Sequence, residues 1–350
     1  KKRGPCPFFQ QGPLRQGKTM LIYVMRRFLY MAVILLLLSV VAFIIIQLPP
    51  GDYVSAYIAE LETMKGERME EAEIIALRKA YGVDQPIYIQ YFKWIRKLLR
   101  GDFGISLQWQ RPVIDLIAER LPLTVMICAL ATVFTYAMGV PIGIYSAIRQ
   151  YSVGDYFFTI VGFIGLAAPN FLLALILMFL FYKYLGLSVG GLFSTQYMNV
   201  PWSVGKFIDM VKHLPIPVIV IGTPGAAALI RTMRGCLLDE LHKQYVITAR
   251  AKGVAERTLL FKYPIRVAIN PIVSTIGWTL PWLVSGGTIT EIVLSLPTTG
   301  PLLFQALLKQ DMELAGSIIM FLSFLTVIGT FISDILLALL DPRIRYERST

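Results

Sequence analysis

Apolar residues run along this chain in long blocks bounded by charge. Six of them, 28–46, 123–148, 157–182, 214–230, 267–290 and 314–340, come near or exceed the length of a bilayer crossing, which takes about 20 residues of helix. The pattern predicts an all-α integral membrane fold with about six transmembrane helices. Gly139, Pro141, Gly143 and Pro169 interrupt the second and third blocks, and membrane helices tolerate both residue types.

The stretches between blocks carry a second pattern. Residues 49–120 are predicted to be an external helical segment between spans one and two: 67–80 sets Met69, Ile74, Ile75 and Leu77 at helical spacing, and 87–99 repeats the spacing with Tyr88, Tyr91, Phe92 and Trp94. Residues 183–213, with Gly190-Gly191 and Pro201-Trp202, read as an interfacial turn rather than a domain. Residues 20–48 hold the first span, and 121–345 hold the other five with a long loop at 231–266. Residues 1–19 read as a disordered leader or a misassigned start, since Met20 directly precedes the first span, and 346–350 as a tail.

Charge fixes the expected orientation, because Lys and Arg in short loops stay on the cytoplasmic side. Arg26 and Arg27 precede span one, and Arg149 follows span two. Arg231, Arg234, Lys243, Arg250, Lys252, Arg257, Lys262 and Arg266 fill the loop after span four, and Arg343, Arg345 and Arg348 end the chain. All fall on one side when both termini are cytoplasmic, as an even number of spans requires.

Composition agrees. The chain is 56% hydrophobic and 16% charged, with a mean hydropathy of +0.63, outside the range of ordinary soluble domains. The net charge of +11 sits at the ends of apolar blocks, so it reflects topology and not nucleic-acid binding. Cys6, Cys128 and Cys236 have no disulfide or metal spacing, and His213 and His242 are too few and too far apart for a metal site. No nucleophile–base or metal constellation is visible, so no catalytic residue and no metal are expected.

Gly12-Pro13-Leu14-Arg15-Gln16-Gly17-Lys18-Thr19 matches the phosphate-loop pattern. Its context argues against nucleotide binding, because no β-strand pattern precedes it and the helix that follows is the first span. Asp334 in the last block is a costly intramembrane charge, by about 2.5 to 3.5 kcal/mol at mid-bilayer. Its place near the cytoplasmic end predicts a structural ion pair with a basic residue of the 231–266 loop. Trp278, Trp282, Ser285, Gly286 and Gly287 in the fifth block are candidate pathway-lining residues, aromatic faces alternating with small gaps. Helix packing explains the glycines equally well.

The loop at 231–266 is more ordered in pattern than a turn. Leu237, Leu238, Leu241 and Tyr245 recur at helical spacing, and Ala249 and Ala251 offer a small-residue patch. Gly253 punctuates the helix. A second amphipathic turn follows, with Leu259, Leu260 and Phe261 against Arg257 and Lys262, and Pro264 opens the next span. The residues alone fit two readings: a basic loop lying on anionic lipid, or a helical segment that docks into another protein.

The run Tyr245-Val246-Ile247-Thr248-Ala249-Arg250-Ala251-Lys252-Gly253, followed by Asn270-Pro271, resembles the EAA loop of ABC importer permeases of the dipeptide/oligopeptide branch. Arg26-Arg27-Phe28, Pro50-Gly51-Asp52, Gly101-Asp102-Phe103-Gly104, Arg120-Leu121-Pro122, Pro169-Asn170-Phe171, Glu291, Pro297, Gly300, Asp311 and Asp341-Pro342-Arg343 resemble that branch in the same order. Tyr263, Val267 and Thr298-Thr299 depart from its usual His, Asn and Pro-Gly, which leaves substrate identity and the external gate open. The resemblance implies a peptide importer subunit in a prokaryotic inner membrane, with oligosaccharides or nickel as alternative cargoes of the same machinery. It implies a second permease as heterodimer partner, two ATPase subunits or domains that use ATP and Mg, and an external solute-binding protein. This chain would bind no cofactor, and Tyr245, Thr248, Ala249, Arg250, Ala251, Lys252 and Gly253 would form a cytoplasmic coupling helix between spans four and five. The rival class, an ion-coupled secondary carrier, would need intramembrane acid or base chains, and Asp334 stands alone.

Overall fold

The computed structural model describes residues 13–48, 53–66, 68–81, 84–106, 108–186, 190–198, 200–273 and 287–340; side chains at 13–24, 53, 56, 60, 64–65, 80–81, 185 and 332–340 lie outside the description. The described chain is almost entirely helical. It opens with α1 (Pro13–Gln47), α2 (Tyr53–Lys65), α3 (Glu71–Tyr81) and α4 (Ile87–Leu99), then a two-residue hairpin, β1 (Ile105–Ser106) against β2 (Arg111–Pro112). Next come α5 (Val113–Ile148), α6 (Val153–Ala167), α7 (Asn170–Leu185), α8 (Val204–His213), α9 (Pro215–Leu241), α10 (Gln244–Ala251), α11 (Glu256–Lys262) and α12 (Pro264–Ala268). The last described helices are α13 (Thr288–Val293), α14 (Thr299–Leu308) and α15 (Met312–Leu340).

Among the described residues, four segments are long and apolar enough to cross a membrane: Met25–Gln47, Val113–Ile148, Pro215–Leu241 and Met312–Phe331. A fifth is broken. Block 157–182, expected as one span, is the pair α6 and α7, bent by 111°. The cause is Pro169, whose ring drives the preceding residue out of the helical region: Ala168 is extended at φ −74°, ψ 130°, and Pro169 at φ −59°, ψ 134° caps α7.

Three other expected boundaries move. The fourth span does not end at residue 230, because α9 continues through Leu241 and takes the first third of the 231–266 loop. Residues 113–120, assigned to the external segment, are the opening turns of α5. Residues 183–213 are no simple turn: they carry a short 3-10 helix at Thr195–Tyr197 and the amphipathic α8. Lys206, Asp209 and His213 of α8 are buried, and Ser194 donates to Asp209 from its backbone N–H (2.7 Å) and its hydroxyl (2.6 Å). Burial alone would raise the Asp209 carboxyl, but those two donors together with His213 and Lys212 hold it below the usual range. Of block 267–290, residues 274–286 lie outside the described residues. The stretch matched to the phosphate-loop pattern is helical from Pro13 onward, with Gly12 outside the described residues.

Helices α5 and α9 run side by side as the spine of the molecule. Thr135 meets Gly225, Gly139 meets Leu229 and Gly143 meets Met233, each step four residues on in both helices. Small residues at every contact let the backbones approach, as in membrane helix packing generally. Thr135 adds a hydroxyl bond to the Gly222 carbonyl at 3.0 Å. The small residue on each side faces a larger one on the other, so the two helices are locked in register.

Helix α4 occupies the residues its aromatic periodicity marked and clamps α1 to α15. Trp94 packs with Phe43 of α1 and with Leu314, Ala315 and Ile318 of α15. Tyr91 shares a hydrogen bond with Ser39 at 2.8 Å, and Lys97 pairs with Glu313 at 3.1 Å. The β-hairpin is pinned by buried Asp311, which accepts from Ser106 Oγ at 2.5 Å and from the Gln108 and Leu314 backbone N–H groups.

Candidate functional site

The candidate site is the segment from α10 through α12. Lys243, extended at φ −71°, ψ 145°, ends α9 and starts α10. Helix α10 closes with a Schellman motif: the Val254 N–H bonds the Ala249 carbonyl at 3.3 Å and the Gly253 N–H bonds the Arg250 carbonyl at 3.0 Å. Gly253 supplies the left-handed residue this motif needs, at φ +78°. The chain then turns into α11.

One side of this helical pair is bolted to the spine. Val246 and Leu259 are fully buried, and Leu260 and Ile265 join Met233 and Leu237 of α9 and Ala147 of α5 in one apolar cluster. The other side faces solvent. Ile247 is 47% exposed and Phe261 61%, and Thr248, Ala251, Lys252 and Gly253 are exposed while Ala249 is half-buried.

Two of the expected contact residues are engaged within the chain. Arg250 makes a two-pronged pair with Glu256 across the turn, Nη2 to Oε1 at 2.6 Å and Nε to Oε2 at 3.1 Å. The guanidinium holds the Glu256 carboxyl below its usual range. Tyr245 donates its hydroxyl to the Glu240 carboxylate; burial and that carboxylate push the phenol up to about 12. Ile247, Glu240 and Glu256 did not stand out in the sequence. Val246 and Ile247 are neighbouring β-branched apolar residues, and only packing decides which is hidden.

The Arg250–Glu256 pair is exposed, so its worth is geometric. Arg250→Glu should place two carboxylates face to face and splay α10 from α11, and Glu256→Arg in the same chain should restore the pair with reversed polarity. Transport falling severalfold in the single variant and recovering in the double one is the expected result; an unrecovered double variant would mean that Arg250 itself meets a partner.

Above this platform, α6 is tied to α9 by Asp155 and Arg234, with Nε to Oδ1 at 3.0 Å and Nη2 to Oδ2 at 2.9 Å. Asp155 also accepts from the Tyr151 N–H, and its own N–H caps on Ser152. At the other end, Glu291 is buried and accepts from Thr298 Oγ1 at 2.9 Å, while the Thr299 N–H donates to Thr124 of α5, also at 2.9 Å. The two threonines that break the expected Pro-Gly pairing therefore tie α13 and α5 together. Among the candidate pathway residues, Gly287 is buried at the start of α13, whereas Trp278, Trp282, Ser285 and Gly286 lie outside the described residues. The Asp334 side chain lies outside them as well. Cys128 and Cys236 are free thiols, and no group of metal-ligating side chains occurs among the described residues.

Residues 139–346, which contain the platform and the spine contacts from Gly139 onward, match the model of the binding-protein-dependent transport system inner membrane component family. The chain belongs to that family. Residues 20–128 match its companion N-terminal membrane component model. The chain is 34% identical over 329 residues to the oligopeptide transport system permease protein AppB of Bacillus subtilis, covering 93% of this chain and 100% of that protein. It is 30% identical to the oligopeptide transport system permease protein OppB of Haemophilus influenzae, over 93% of this chain and 100% of that one. The di/tripeptide transport system permease protein DppB of Pseudomonas aeruginosa is 31% identical over 89% of this chain and 94% of its own length. Family membership makes this an inner-membrane, multi-pass transport component.

Proposed function

We propose that this chain forms half of a translocation pathway for peptides, driven by ATPase subunits that dock on the exposed face of α10 and α11. The observation that carries the docking is Ile247, an apolar side chain left in solvent beside small residues on a platform whose opposite face is fixed to the spine. Peptide cargo is supported by the relatives named above, which match along nearly the whole chain.

In this reading the chain crosses the membrane six times with both termini in the cytoplasm, and the fifth crossing includes residues 274–286. A second permease completes the pathway, an external solute-binding protein delivers the peptide, and ATP and Mg are used on the ATPase chains. Closure of the ATPase pair presses α10. The Schellman turn and the Arg250–Glu256 brace make α10 and α11 move together, and the packing of Leu260 and Ile265 against Met233 and Leu237 passes the displacement to α9. Register locking carries it to α5 as a rigid-body shift.

Ile247→Asp should lower copurification of the ATPase subunits with the assembled transporter about tenfold, by putting a carboxylate where an apolar contact forms. Peptide uptake should fall with it. Unchanged copurification and uptake would remove the docking reading. Uptake driven by an ion gradient in vesicles without the ATPase subunits would replace it with a secondary carrier.

A further inference from the structure

The external end of α5 opens on a cleft of about 990 Å³, lined by the first turns of that helix together with Leu192, Phe193, Trp202, Ser295 and Pro297. Its size suits a small ligand. Five charged side chains line it: Arg111, Asp115, Glu119, Arg120 and Lys206.

Three of the five are spent. Arg111 and Glu119 pair with each other at 2.6 Å. Lys206 donates to the Val200 carbonyl at 2.7 Å and lies against the rings of Phe193 (4.9 Å) and Trp202 (5.6 Å). The side chains of Asp115 and Arg120 make no hydrogen bond and no ion pair among the described residues, although Asp115 lies within electrostatic reach of Arg111 and Arg120 within that of Glu119. Arg120 is moreover half-buried, a setting in which an unpaired guanidinium is costly unless a ligand completes it. The cleft thus offers one free acid, one free base and aromatic walls.

A peptide presents that pattern in reverse: an ammonium at one end, a carboxylate at the other, and side chains between. We propose that this cleft is a peptide subsite in which Arg120 takes the terminal carboxylate of the cargo and Asp115 its terminal ammonium. The assignment rests on the peptide cargo argued above and adds which end of the cargo each residue reads. Arginine suits a carboxylate because its planar fork donates two parallel bonds.

The test uses the complete transporter with its solute-binding protein at saturation, and compares uptake of a free dipeptide with that of its C-terminal amide and its N-acetyl form. Arg120→Gln should lower uptake of the free dipeptide about tenfold and leave the amide nearly unchanged, so that the preference for a free carboxylate disappears; Arg120→Lys should keep part of it. Asp115→Asn should erase discrimination against the N-acetyl form only. Equal loss for all three peptides, with unchanged ATPase copurification, would put Arg120 in contact with the solute-binding protein and overturn the subsite. Wild-type uptake with preferences unmoved in both variants would overturn it too. Wild-type transporter carrying none of the three would instead overturn the cargo reading beneath it.

Discussion

An Asp155→Ala chain should be about 3 kcal/mol less stable than the unmodified protein, the low end of what breaking a buried ion pair costs, because Arg234 keeps some contact with water. The side chain of Asp155 is 3% exposed and that of Arg234 28%, and their two bonds are the charged tie between the broken span and the spine. Removing the carboxylate leaves a partly buried guanidinium without its anion. It also frees the Tyr151 N–H, and Tyr151 sits at φ +63°, where a side chain is strained and needs such a hold. The loss should appear as a lower unfolding midpoint in detergent. Replacing both partners, Asp155→Leu with Arg234→Leu, should cost less than either single change, since no uncompensated charge then remains. A double variant less stable than Asp155→Ala would contradict this account.

The same substitution at two glycines of one pathway should act with opposite signs. In Gly143→Ala the new Cβ would lie 2.7 Å from Met233 Cβ and 2.9 Å from the Ile230 carbonyl oxygen. Neither neighbour can swing aside, because one is the root of a buried side chain and the other is backbone. The spine must open, at about 1 to 3 kcal/mol. At Gly235, only two residues past Met233 and so turned to another side of α9, nothing lies within 4 Å. There alanine should stabilise the helix by up to about 1 kcal/mol, through the lower backbone entropy it gives up. Paired unfolding curves in detergent decide the matter, and a shift of equal sign at both positions would refute the register described for α5 and α9. If α10 drives α5 through this register, Gly143→Ala should also reduce transport more than its stability loss alone explains.

How much of this was legible before the fold was seen depends on the range of the forces involved. The membrane character, the positions of the apolar blocks and the bounds of α4 follow from local periodicity, which hydrophobic burial imposes residue by residue. The order of helix, small-residue patch, Gly253 and second helix in the 231–266 segment is also a local matter, since a left-handed glycine ends a helix wherever it stands. The break of the third span was present in the sequence as Pro169, but tolerance of proline in membrane helices hid it. Whether a proline kinks or splits a span depends on what the two halves pack against.

By itself the sequence determined that this chain lives in a membrane and that Tyr245 to Gly253 form a helix and its stop. Tertiary structure alone decided that α9 runs on through Leu241, that Val246 is hidden and Ile247 shown, that Arg250 is held by Glu256, and that Arg120 and Asp115 share a cleft unpaired. Local periodicity acts over a few residues, whereas each of those decisions is a choice of partner made between neighbouring helices or across a turn, and only the packed arrangement supplies the partner.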